Sequence, residues 1–141
     1  MTNITSETIK TTARKYIGTP FHPQGRVKGV GVDCVGLIIC IGKDLKIFST
    51  LGKPLHEYDT AIYNVHQPNA ILMLQELDKH LISSHKDIEA GDILCFLNER
   101  DYAHIGIATE EERYIHSCMI RGEVLEEKIP KSPCKVWKFP S

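Results

Sequence analysis

Two groups of residues in this chain have the types and spacing for nucleophilic chemistry. Cys34 follows a stretch punctuated by Gly18, Gly25, Gly29 and Gly31, and it opens the apolar run Val35–Ile41. A cysteine at such a junction belongs on the first turn of a helix. Unpaired backbone N–H groups and the positive end of the helix dipole stabilise a thiolate there. Thiol pKa values at such positions fall to roughly 3.5–7.5, which predicts a substantial thiolate fraction near neutral pH. The same N–H groups are donors for the oxyanion of a tetrahedral intermediate.

The second group is His104 and His116. They lie in the runs Ala103–Thr109 and Arg113–Cys118, separated by the acidic turn Thr109–Glu112. As strands of one hairpin, these runs place the two rings opposite or diagonal, within side-chain reach. One imidazole then accepts the thiol proton while the other fixes its tautomer and orientation. Cys40, inside the apolar run, reads as a small core hydrophobe. His22, His56, His66, His80 and His85 read as surface residues, and Tyr58 and Asp59 as turn residues with a modest chance of lining a cleft. A zinc site from His104, His116 and Cys118 or Cys95 lacks a close ligand pair and a fourth ligand, so no metal and no cofactor are expected. HExxH, Walker, GxGxxG and GxSxG patterns are absent from the chain.

The elements that must position these residues follow from periodicity. A helix is predicted over 7–17, capped by Thr5 or Ser6 and stopped by Gly18. Residues 18–32 read as a surface loop. Asp33 caps a second helix that ends near Phe48, and Gly36 within it costs about 1 kcal/mol against alanine, so something must pack closely there. Residues 49–68 read as irregular, and Ala70–Ile82 as a third helix. Short strands are predicted at Asp92–Leu97, Ala103–Thr109, Arg113–Cys118, Glu123–Lys128 and Lys135–Phe139. Helices followed by strands predict an α+β fold with an antiparallel sheet, in a single domain over 1–141.

Composition narrows the function classes. Seventeen basic residues against eighteen acidic ones give a net charge of -1, which argues against a dedicated nucleic-acid binder. A hydrophobic content of 42% is that of a globular chain, and no apolar run is long enough for a membrane span. The N-terminus carries no recognisable secretory signal, which predicts cytoplasmic synthesis and delivery by a particle or pore. Five cysteines without a CxxC pair predict reduced thiols.

The blocks Gly18-Thr19-Pro20-Phe21, Gly31-Val32-Asp33-Cys34-Val35-Gly36-Leu37, Ala90–Phe96, Ala103-His104-Ile105-Gly106-Ile107 and Tyr114-Ile115-His116-Ser117 occur in the order of a known family. As a set they resemble the NlpC-type cysteine peptidases, papain-like enzymes that cut peptidoglycan stem peptides. The similarity runs from about Ile9 to Phe139 and is greatest to the short branch carried by phages, prophages and gene-transfer particles. The resemblance implies a papain-like α+β fold, with Cys34 as nucleophile, His104 as base and His116 as the orienting residue. It implies a γ-D-glutamyl bond to diaminopimelate or lysine as substrate, and phage tail or particle proteins as partners. Asp33 either positions a substrate amine or only caps its helix. The chain departs from the pattern at Phe21, where many relatives have a tyrosine whose hydroxyl faces the cysteine; His22 is the nearest replacement donor. Val35 stands where serine is frequent, and the loop from Phe21 to Cys34 is one residue longer. Two rivals accompany this reading: a papain-like N-acetylmuramoyl-L-alanine amidase, and a tail-assembly or tail-tip structural protein.

Overall fold

The computed structural model describes residues 4–59, 70–97, 103–110 and 112–140. His66 lies outside the described residues. Helix α1 spans Ser6–Arg14. Thr5 caps it in a reciprocal pair: its hydroxyl accepts the Thr8 N–H at 3.1 Å, and the Thr8 hydroxyl oxygen accepts the Thr5 N–H at 2.8 Å. The helix stops three residues before the predicted Ile17. Its continuation to Gly18 is a series of turns, ended by Gly18 at φ +91°. Tyr16 in this segment is nonetheless buried, and its hydroxyl donates to Asp44 Oδ2 at 2.5 Å.

Residues 18–32 were expected to be irregular, but they contain a two-stranded ribbon. Strand β1 (Arg26–Val27) pairs antiparallel with β2 (Gly31–Val32). Helix α2 follows over Cys34–Asp44, with Asp33 as the N-cap. It ends before the expected Phe48 because Lys46 adopts φ +55°, the left-handed conformation usually given to glycine. The Ile47 N–H then reaches back to the Gly42 carbonyl at 2.9 Å, and the Lys46 N–H to that of Lys43 at 3.2 Å. This is the Schellman termination, made here with lysine. A short 3-10 helix at Leu55–Tyr58 breaks the segment expected to be irregular.

Helix α3 spans Ala70–His80, and β3 (Ile82–Ser84) begins where the third helix was expected to end. The remaining strands are β4 (Ile93–Leu97), β5 (Ala103–Glu110), β6 (Arg113–Cys118), β7 (Glu123–Lys128) and β8 (Cys134–Lys138). They form one sheet in the order β3-β8-β4-β5-β6-β7, with every neighbouring pair antiparallel. The fold is α+β, as expected.

Side chains alternate between the two faces of this sheet. Ile93, Cys95, Ile105, Ile107, Ile115 and Val124 join Leu37, Ile38 and Ile41 of α2 in the main core. Leu94, Phe96, Ala108 and Tyr114 form a second, smaller cluster on the outer face. Strands β4 and β5 are therefore buried on both sides, which explains their nearly unbroken apolar sequence.

Candidate active site

Cys34 is the first residue of α2, and its position is set by the residue before it. Asp33 Oδ1 accepts the Gly36 N–H at 2.7 Å, capping the helix. Asp33 Oδ2 accepts the Gln24 N–H at 2.7 Å, and Arg26 Nη1 donates to Oδ1 at 3.0 Å. Arg26 is held in turn by Asp59, at 2.7 and 3.1 Å. Gly36 has the close neighbour its sequence predicted: a Cβ there would lie 2.1 Å from the Gly25 carbonyl oxygen. Only glycine lets the loop lie this close to the helix, so Gly36 and Asp33 together fix how the loop meets Cys34.

The sulfur faces the backbone N–H groups of Ile105, Val35 and Cys34 itself. These donors do not make the thiol acidic. Burial and then the Asp33 charge push it up to about 11, outweighing the N–H groups. The expectation of a thiolate-rich cysteine is corrected: helix-terminal stabilisation is overcome by desolvation and by a neighbouring carboxylate. Burial therefore favours the neutral thiol at Cys34.

His104 is the second residue of β5 and pairs with Phe96 of β4, which places it on the outer face. His116 shares that face. Ile107 pairs with Ile115 and Ala108 with Tyr114; a register shift follows between Ala108 and Glu110. Continuing the regular pairing sets Gly106 opposite His116 and His104 one diagonal step away. The rings meet as that offset requires, with His104 Nε2 2.8 Å from His116 Nδ1. Their planes cross at 83°. Tyr114 stacks on the other side of His116, at 4.3 Å between centroids and 7° between planes. Gly106 makes room for that stack, because a Cβ there would lie 2.6 Å from Tyr114 Cδ2.

Both imidazoles are biased towards the neutral form. Burial, and then His116, lowers His104 to about 4. Burial also holds His116 below its ordinary value, against the opposing pull of Glu127. A neutral ring has one nitrogen able to accept a proton, as a base requires. His104 uses Nε2 towards His116, which leaves Nδ1 outside that contact.

The structure thus brings His104 and His116 together, and brings the Cys34 sulfur to the backbone of the residue after His104. Among the described residues, no hydrogen bond joins the sulfur directly to either ring. An apolar cavity of about 120 Å³ is lined by Val35, the residue after the cysteine, with Ile39, Leu72, Leu77 and Ile105, and has Tyr58 and Asp59 on its wall.

No protein-family model matches the chain, and neither does any curated protein sequence. Solved structures do. The NlpC/p60 domain of the peptidoglycan hydrolase SagA is 21% identical with a TM-score of 0.58, over 94% of this chain and 98% of that one. An NlpC protein of Trichomonas vaginalis, at 16% identity and a TM-score of 0.67, matches 99% of this chain with 49% of its own. An NlpC/p60 family protein of Bacillus cereus is 15% identical with a TM-score of 0.66, over 98% of this chain and 41% of its own. This chain has the NlpC/p60 fold. It spans less than half the length of the latter two structures.

Within this NlpC/p60 fold, the other sequence-selected residues sort themselves by their contacts. The side chain of Asp33 is only 5% exposed and engages Gln24, Arg26 and Gly36, so its observed role is structural. Phe21 is half-buried and is held by its backbone, its N–H donating to the Gly122 carbonyl at 2.8 Å. His22 is exposed, with its ring Nδ1 2.9 Å from the Pro23 carbonyl, and does not supply the missing tyrosine hydroxyl. His80 is not a surface residue: its ring meets Ser49 Oγ at 2.9 Å and Glu76 Oε2 at 3.1 Å. Cys95 faces the main core, on the opposite side of the sheet from the histidine pair. No three potential metal ligands converge among the described residues. The sequence reading missed Arg26, because the ribbon that carries it has no hydrophobic pattern; Asp59, read as a turn residue with a modest chance of lining a cleft, is the carboxylate that holds Arg26.

Proposed function

We propose that this chain is a cysteine peptidase that hydrolyses amide bonds in peptidoglycan stem peptides, with the γ-D-glutamyl linkage as its target. Cys34 is the nucleophile, His104 the general base and acid, and His116 the residue that orients it. The observation that carries this reading is the part-buried His104–His116 contact at 2.8 Å, one residue before Ile105, whose backbone N–H acts on the Cys34 thiol. The NlpC/p60 fold, seen also in the peptidoglycan hydrolase SagA, supports the choice of substrate.

Burial favours the neutral form of both the thiol and the imidazole, so the mechanism needs no resting ion pair. His104 Nδ1 takes the thiol proton as Sγ attacks the carbonyl carbon, so the S–C bond forms without a stored ion pair. The thiol–imidazole contact tightens in the substrate complex, as catalytic hydrogen bonds commonly do. The N–H groups around Cys34 stabilise the oxyanion. His104 then passes its proton to the leaving amine and the C–N bond breaks. Water, deprotonated by His104, attacks the thioester and frees the acid with the regenerated thiol.

The test uses purified peptidoglycan and mass spectrometry of the released fragments. The wild-type chain should leave new D-glutamyl and diaminopimelate or lysine termini, whereas Cys34→Ala should leave none while melting like the wild type. Equal turnover by both proteins would refute the nucleophile. A free lactyl group on the sugar instead of a new stem-peptide terminus would identify an amidase.

A further inference from the structure

We infer that Glu127 is a positioning residue that sets the proton arrangement of the imidazole pair, and through it the usable lone pair of His104. The inference rests on the catalytic reading above. On the outer face, β6 and β7 pair Tyr114 with Glu127 and His116 with Leu125, so Glu127 stands one diagonal step from His116. Its carboxylate Oε1 lies 3.3 Å from His116 Nε2. That nitrogen is buried and lacks an aligned hydrogen bond. The contact is therefore an ion-pair separation that a small rotation of Glu127, whose side chain is 44% exposed, turns into a directed bond. Leaving a buried ring nitrogen unpaired is costly, which favours that rotation.

An ionised carboxylate only accepts hydrogen bonds. Facing Glu127, His116 must carry its proton on Nε2, and its Nδ1 must then be an acceptor. Across the 2.8 Å contact, His104 Nε2 must consequently be the donor. His104 Nδ1 is left with its lone pair free, the one arrangement in which this ring takes a proton from Cys34. Remove the carboxylate and the pair can reverse: His116 Nδ1 donates to His104 Nε2, and the proton of His104 moves to Nδ1. The ring is then still neutral and still in place, but it is blocked as a base. Geometry alone does not separate these two states; the acceptor at the far end does.

The experiment compares Glu127→Leu, which removes the acceptor, with Glu127→Gln, whose amide oxygen can still accept. Nitrogen-15 NMR of the histidine rings in the free protein reads the tautomers without any turnover. It should show His116 protonated at Nε2 and His104 at Nε2 in the wild type and in Glu127→Gln, and a mixture in Glu127→Leu. On stem peptide, Glu127→Leu should lower kcat about tenfold with KM within about twofold, short of the roughly 100-fold or greater loss expected when a base is removed. Glu127→Gln should recover most of the rate. Wild-type His116 protonated at Nδ1, unchanged tautomers in Glu127→Leu, or a Glu127→Gln protein as slow as Glu127→Leu would each overturn the inference. If the wild type cuts no stem peptide, the peptidase reading fails, while the NMR result still decides whether Glu127 governs the pair.

Discussion

Around the start of α2, one carboxylate gathers the structure: Asp33 takes donors from the loop, the helix and Arg26, and keeps its charge satisfied. On the outer face of β5 and β6, two imidazoles are packed beside Tyr114 and near Phe96, and burial drives both towards neutrality. One half of the candidate site is an organised charge and the other is organised rings. The difference shows that a carboxylate can order one half of the site while burial biases the titratable groups of the other half. Asp33 raises Cys34 rather than lowering it, so in the proposed mechanism the proton moves during attack and not before it.

Three measurements test this contrast. Replacing Asp33 with alanine strips the cap from α2 and leaves Arg26 with one of its two carboxylates. It should destabilise the fold by about 4 kcal/mol in urea titration, the usual scale for breaking a buried charged contact. A loss under about 1 kcal/mol would show that the charged half is ornamental.

Acid should act on the other half. The folded-state pKa of His104 is about 4, below its ordinary 6.5, so the unfolded chain binds the extra proton between those values. Stability is then complete above pH 6.5, falls as pH drops towards 4 and levels off below it, losing on the order of 3 kcal/mol through this group. Subtracting the profile of a His104→Gln variant isolates that slope from the carboxylates. Parallel profiles for the two proteins would mean that the ring is not buried as described.

The smallest effect tests the seating of the rings. Gly106→Ala puts a methyl group 2.6 Å from Tyr114 Cδ2 and 2.8 Å from the Ile115 carbonyl oxygen. It should cost about 2 kcal/mol, typical of overpacking, and shift the ring resonances of His116. A neutral substitution would mean that Tyr114 is free to move and does not hold His116 in place.

Much of the site was legible before the structure because its signals are local. Asp33 precedes an apolar run and caps it, Gly36 marks a close approach, and the hairpin spacing predicts that His104 and His116 meet. What was misread either broke a local rule, carried no periodic signal, or depended on a neighbour distant in sequence. The length of α2 escaped because Lys46 fills a position that sequence rules reserve for glycine. Strand β3 escaped because three residues at a sheet edge, two of them exposed, carry almost no periodic signal. His80 was taken for a surface residue because only the folded chain brings Ser49 to its ring.

Local sequence pattern alone sufficed for the three α-helices, the strands β4 to β8, the cap that starts α2 and the meeting of His104 with His116, because each rests on a few neighbouring residues. Only the tertiary structure decided the protonation state of the thiol, the face of the sheet on which the imidazoles stand, and the nearness of Glu127 to His116. Those depend on burial and on strand register, and both arise from residues that become neighbours only when the chain is folded.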